Sequence, residues 1–195
     1  MNNLIEKKGF FPQIVASGRI VLTTMAVCCL LYSFLILGVG QMLTPYTANG
    51  SLIRNEHGDI IGSESLAQGS SRPEYFWPRP SAVDYNASAA GGSNLSPTNP
   101  ELRSRADAII KTLGAVGEKE VPADLVTTSG SGLDPQITLR AAEYQAYRVA
   151  AARGLPVATI MEILHKFAKR PGGALTPEPL VNVLLVNTAL KIEDK

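Results

Sequence analysis

Residues 20–40 read IVLTTMAVCCLLYSFLILGVG, a run without one charged side chain. A helix of that length rises about 31 Å, which matches the roughly 30 Å hydrocarbon core of a bilayer. A core helix of a soluble protein keeps a polar face. The apolar stretch of a cleaved export signal is shorter, about 7 to 15 residues, and ends at small residues. This run is apolar on every side, and Tyr46-Thr47-Ala48 is a poor cleavage sequence. It therefore reads as a retained transmembrane helix, dividing the chain into a tail 1–19, a span 20–40 and a domain 41–195.

The flanks orient the span. Lys7, Lys8 and Arg19 precede it against Glu6 alone, and the next basic residue is Arg54. The positive-inside rule then places the N-terminus in the cytoplasm and residues 41–195 outside. That outer part carries 15 basic and 16 acidic residues, with no basic stripe, which excludes nucleic acid as a partner. Both cysteines, Cys28 and Cys29, sit inside the span, so the domain must hold itself together without a disulfide. They read as small apolar residues, and no G-x-x-x-G in the span favours self-pairing.

Working outward, residues 48–68 predict a β-hairpin, with strands at Ser51 to Arg54 and Ile60 to Ser63 and His57 at the tip. Residues 69–100 are a long stretch of proline, glycine, serine and asparagine around one aromatic cluster, Tyr75-Phe76-Trp77. Concentrated aromatics favour an ordered loop, and Pro78 and Pro80 stiffen the chain on both sides of Arg79. These aromatics either plug the domain's own core or anchor a partner.

Three helices follow. Asn99 and Pro100 open one with Leu102, Ala106, Ile109, Ile110 and Leu113 on a shared face. Thr138 opens the next, with Leu139, Ala142, Ala146, Val149 and Ala150 on one side and Gly154 past its end. Pro156 opens a third, burying Ile160, Ile163, Leu164 and Phe167. The last apolar run, LVNVLLVNTALKI at 180–192, fits a strand or a short helix equally. The fold class is α+β, preceded by a single transmembrane helix.

Catalytic signatures are sparse. Ser129-Gly130-Ser131-Gly132 has no following lysine and so is no P-loop, and Thr127 stands where a nucleophile elbow needs glycine. His57 and His165 lie in different elements, with no zinc spacing. Asp84, Asp124 and Asp134 could hide an acid/base pair, though no spacing selects one. Gly130 and Gly132 allow positive φ, so the turn fits either an anion nest or a tight connection ended by Asp134-Pro135.

YFWPRPSA at 75–82, YNASAAGGSNLSPTNPEL at 85–102, VPADLVTTSGSGLDPQIT at 121–138, YQAYRVAAARGL at 144–155 and VNVLLVN at 181–187 occur in one order along the chain. Together they resemble the C subunit of the Kdp-type potassium-transporting ATPase, over nearly the whole length. Pro78, Ser96 and Gln136 stand where glycine, glycine and histidine are commoner in the family, and Ser33 follows Tyr32 where the family usually has proline.

The resemblance implies a non-catalytic subunit of the bacterial inner membrane, partnered by a channel-like A subunit, a P-type B subunit and lipid. It implies no cofactor of the chain's own. ATP would enter through the complex, whose affinity for it the subunit raises as a catalytic chaperone. The rival expectation is a membrane-anchored periplasmic ligand-binding module or cryptic enzyme. The partner-contact candidates are Tyr75, Phe76, Trp77, Arg79, Ser81, Asn94, Ser129, Gly130, Ser131, Gly132, Asp134 and Arg148.

Overall fold

In the computed structural model, residues 9–114, 116 and 120–193 are described, with side chains through Lys191. Glu6, Lys7 and Lys8, on which the orientation rests, lie outside the described residues. The chain divides after Ser51 into two compact units.

The first unit is one long apolar helix. It runs as α1 (Phe10–Met25), a π-helical segment (Ala26–Leu31) and α2 (Tyr32–Leu43), and a short α3 (Pro45–Ala48) follows. The most apolar 18-residue window of the Phe10–Leu43 helix has a mean hydropathy of 2.5, and none of that window is buried. Among the described residues it is the one helix long and apolar enough to cross a membrane. It is longer than 20–40 at both ends.

The second unit is the α+β domain. Its first strands, β1 (Leu52–Arg54) and β2 (Ile60–Ser63), form the expected hairpin, with a register shift between Ile53 and Arg54. Asn55 shapes the tip, its Oδ1 accepting from the N–H groups of His57 and Asp59. Next is α4 (Pro100–Leu113), capped as the sequence predicts: Asn99 Oδ1 accepts from Glu101 N–H at 2.8 Å. Its apolar face is only partly used. Leu113 is buried, whereas Ile110 is 41% exposed, so the expected shared face is corrected to the Ile109 and Leu113 side.

The core lies among the remaining elements. Strand β3 (Gln136–Thr138) feeds α5 (Leu139–Arg153), and β4 (Leu180–Asn182) feeds α7 (Val183–Glu193). The two strands pair antiparallel, Ile137 opposite Val181. The run at 180–192 is therefore both a strand and a helix, switching where Asn182 Oδ1 accepts from Leu185 N–H. Thr138 caps α5 by accepting from Ala141 N–H, and Gly154 ends it at φ 66.

Because α5 presents Ala142, Ala146 and Ala150, α6 (Val157–Phe167) packs close with Ile160, Ile163 and Leu164. Val186 and Leu190 of α7 complete the cluster. Phe167 is half-buried rather than buried. Burying each large side chain here contributes about 1.5–3 kcal/mol.

Candidate functional site

The aromatic cluster splits by alternation along an extended segment. Phe76 points into the core at 1% exposure, while Tyr75 and Trp77 remain half-buried. Among the described residues no strand pairs with this segment; two side-chain amides stand in for one. Asn187 on α7 accepts from Phe76 N–H at 2.8 Å and donates to Phe76 O at 2.9 Å. Gln145 on α5 does the same for Trp77, at 2.8 and 3.0 Å. Each amide matches a peptide unit's donor and acceptor, so both backbone groups are satisfied although no sheet passes by.

Arg148, one turn after Gln145, covers the same segment. Its guanidinium stacks 3.8 Å from the Trp77 ring and donates to Tyr75 O at 3.1 Å, to Gln145 Oε1 at 2.7 Å and to Pro73 O. Burial pushes its pKa down to about 10, which still leaves it charged at neutral pH. Arg153 ties Glu74 O at 2.8 Å and Leu190 O at 3.1 Å. Arg72, Arg153 and Lys191 surround the Tyr75 ring at 5.0, 5.3 and 5.4 Å. Arg72 also pairs with Glu74, whose own backbone N–H, followed by Arg72, holds its carboxyl below the ordinary range.

The second group gathers around the glycine-serine turn. Ser129 is buried, and its N–H donates to Pro80 O at 3.1 Å; Gly91 N–H donates to Ser131 O at 2.8 Å. Gly132 adopts φ +69, and a Cβ there would meet Val83 Cγ2 at 2.6 Å and Gly91 O at 2.9 Å. A Cβ at Gly92 would meet Gly130 O at 3.1 Å. The turn and the loop are thus interlocked backbone against backbone, which only glycine permits at Gly132. Gly130 faces open space and does not take positive φ, so of the two glycines expected to allow positive φ, Gly132 takes it.

Arg79 spans this seam. It lies 3.5 Å from Asp134 and donates to Thr128 O at 3.4 Å. Ser81 Oγ accepts from Val83 and Tyr85 N–H groups, holding Asp84 and Tyr85 at φ 50 and 57. Tyr85 Oη donates back to Arg79 O at 3.0 Å.

The candidates therefore fall into two sets. Tyr75, Phe76, Trp77 and Arg148 form one; Arg79, Ser81, Ser129, Gly130, Ser131, Gly132 and Asp134 form the other. Asn94 belongs to neither and stands exposed at φ 52. The carboxylates considered for acid/base work are otherwise engaged in two cases of three. Asp124 accepts from Thr138 N–H at 2.8 Å and Asp134 from Gln136 N–H at 3.0 Å. Among the described residues, no three His, Cys, Asp or Glu side chains gather as metal ligands.

Gln145, Asn187 and Arg153 escaped the sequence reading. Their signal was present: Gln145 lies beside Ala142, Ala146 and Val149, and Asn187 beside Val183, Val186 and Leu190. A polar residue on a buried face announces an internal hydrogen-bond partner.

Comparison with known proteins covers almost all of this framework. Residues 14–192 match the family model described as KdpC, K+-transporting ATPase, c chain. The Parvibaculum lavamentivorans potassium-transporting ATPase KdpC subunit is 51% identical over 176 residues, covering 90% of this chain and 94% of that one. The KdpC subunit of Pseudomonas aeruginosa is 42% identical over 182 residues, with 92% and 97% covered. That of Myxococcus xanthus is 40% identical over 187 residues, with 92% and 88% covered. Spanning both the apolar helix and the clamped domain, these matches show that the chain belongs to the KdpC family.

Proposed function

We propose that this chain is the accessory, non-catalytic subunit of a high-affinity, ATP-driven potassium uptake complex of the bacterial inner membrane. Its long helix anchors it in lipid beside a channel-like and a P-type subunit, with the N-terminus cytoplasmic and the α+β domain outside. The observation that carries the reading is the use to which the domain puts its reactive-looking groups. Asp124, Asp134, Ser81, Gln145, Arg148 and Asn187 each satisfy backbone groups of the domain's own loops. A catalytic group must instead be free to meet substrate within about 3 Å. What the glycine-serine turn presents outward is its exposed backbone at Gly130 and Ser131, suited to contact with the channel-like subunit.

ATP hydrolysis takes place in the cytoplasm, so an outside domain raises ATP affinity only indirectly, as a coupling free energy carried by the membrane subunits. Such couplings are typically 1–3 kcal/mol, or about 5- to 150-fold in affinity. Purification of the tagged full chain from native membranes tests the proposal. Two larger membrane subunits should co-purify, and omitting this chain should raise the complex's KM for ATP within that range. A solitary, monodisperse chain with ligand-binding or enzymatic activity of its own would establish the rival module instead.

A further inference from the structure

We propose that the cavity between the β1–β2 hairpin and α7 binds a phosphate ester, held by Arg54, Tyr75 and Lys191. This site goes beyond the subunit reading and does not depend on it.

The cavity has a volume of about 490 Å³, and its walls include Arg54 and His57 of the hairpin turn, Ile61 of β2, Tyr75 of the aromatic loop, and Thr188 and Lys191 of α7. A smaller cavity of about 170 Å³ shares Ile61, Tyr75, Thr188 and Lys191 with it. Sites for small organic ligands run from about 300 to 1,000 Å³, so the larger cavity admits more than a bare phosphate group.

Positive charge is gathered here beyond what the domain neutralises. Arg72, Arg153 and Lys191 stand 5.0, 5.3 and 5.4 Å from the centre of the Tyr75 ring, and Arg54 lines the same cavity as that ring. Glu74 answers one of the four through Arg72, and Glu56 in the cavity wall answers at most a second. Like charges around one ring repel, and an anion between them removes that cost.

The donors point to the class of anion. Arg54 spends one N–H on Gly58 O at 2.8 Å, a bond that fixes the guanidinium at the turn and leaves its remaining donors over. Among the described residues the Lys191 ammonium meets no carboxylate, only the Tyr75 ring, and the Tyr75 hydroxyl has no hydrogen-bond partner. The ring itself is held in place, because Arg148 donates to Tyr75 O and Asn187 clamps the next peptide unit. A guanidinium, an ammonium and a phenol arriving from three separate elements suit the tetrahedral oxygens of a phosphate better than the two coplanar oxygens of a carboxylate. Ile61 and the Tyr75 ring then meet the carbon part of the ester, since Thr188 turns its hydroxyl to Leu184 O at 2.8 Å. Two sources carry this chemistry: the headgroup of an anionic phospholipid in the bilayer that anchors the chain, and a soluble phosphate ester.

The test uses the full chain in an uncharged maltoside detergent, titrated calorimetrically with glycerol 3-phosphate in one arm and with short-chain phosphatidylglycerol in the other. Saturable binding is expected in at least one arm. Glycerol 3-phosphate binding assigns a soluble ester, and binding of phosphatidylglycerol alone assigns the membrane. The pair R54Q/K191Q should lose at least about tenfold in affinity, and Tyr75→Phe, which keeps the ring, about two- to tenfold. The pair R103Q/K111Q removes the same charge from exposed positions of α4 and should change nothing. Arg54 and Lys191 are exposed, so their urea midpoint should match that of the unsubstituted chain; should that pair unfold, Tyr75→Phe decides. No saturable binding in either arm, equal binding of zwitterionic phosphatidylcholine, unchanged affinity in Tyr75→Phe, or an equal loss in R103Q/K111Q would overturn the site.

Discussion

Gln145→Ala removes the amide that substitutes for a strand beside Trp77. Three bonds go with it: Trp77 N–H to Oε1, Nε2–H to Trp77 O, and Arg148 Nη2–H to Oε1. The two neutral bonds are worth about 0.5–1.5 kcal/mol each and the one from the guanidinium about 1.5–3. Trp77 is only half-buried, so water recovers part of this, and the expected loss is about 3 kcal/mol. Against a typical domain stability of 5–15 kcal/mol the domain still folds, and with a urea slope of about 1–3 kcal/mol per molar its midpoint falls by roughly 1–3 M. The assay is urea unfolding of the full chain in detergent, followed by the fluorescence of Trp77, the only tryptophan. Asn187→Ala and the double variant complete a cycle. Because both amides hold adjacent peptide units, the two losses should not add. A loss below about 1 kcal/mol for Gln145→Ala, or strict additivity, would refute the idea that these amides lock the loop.

The glycine-serine turn gives a paired test: Gly132→Ala should destabilise by about 2–4 kcal/mol through the φ +69 strain and the contacts with Val83 and Gly91, while Gly130→Ala changes stability by less than about 0.5. Equal effects in urea unfolding would contradict the interlock. Burial, aided by Asp84, raises the Tyr85 phenol above its ordinary value of 10.0. The folded state then holds its proton longer than the unfolded chain, so this contribution is complete below pH 10 and is lost as pH rises through the raised pKa. Tyr85→Phe should flatten that alkaline decline while costing about 1 kcal/mol at pH 7 for its bond to Arg79 O. Arg79→Ala loses only long contacts, at 3.4 and 3.5 Å, and so should cost about 1 kcal/mol or less. If Arg79 also anchors the complex, co-purification falls while the folded domain persists; loss of folding with normal assembly of the folded fraction would make it purely internal.

Local signals were well read wherever the physics is local. Asn99-Pro100, Thr138 and Gly154 each act through hydrogen bonds within a few residues, and they mark helix ends where the sequence puts them. The hairpin at 52–63 follows in the same way from strand-forming residues on both sides of a polar tip that contains Gly58. What the sequence did not disclose is non-local. Whether 180–192 is strand or helix depends on β3, some forty residues earlier, which pairs with its first three residues only. Ile110 looks like a core position by spacing, but α4 meets the domain along one edge. For the aromatic cluster, the concentration of rings left open a core plug or a partner anchor, and the structure divides the three: Phe76 is in the core, with Tyr75 and Trp77 at its border under arginines. The amide clamps became legible only once Gln145 and Asn187 were seen to face one loop.

On this reading an accessory domain is held outside the membrane by one helix and acts on a cytoplasmic nucleotide site from a distance. Single cysteines at His57 and at Asn3, in a chain with Cys28 and Cys29 replaced by alanine, test it directly with a membrane-impermeant thiol reagent on intact cells. Labelling is expected at position 57 and none at position 3. Labelling at position 3 alone would turn the domain into the cytoplasm, make direct contact with the nucleotide-binding subunit available to the glycine-serine turn, and contradict the indirect coupling proposed above.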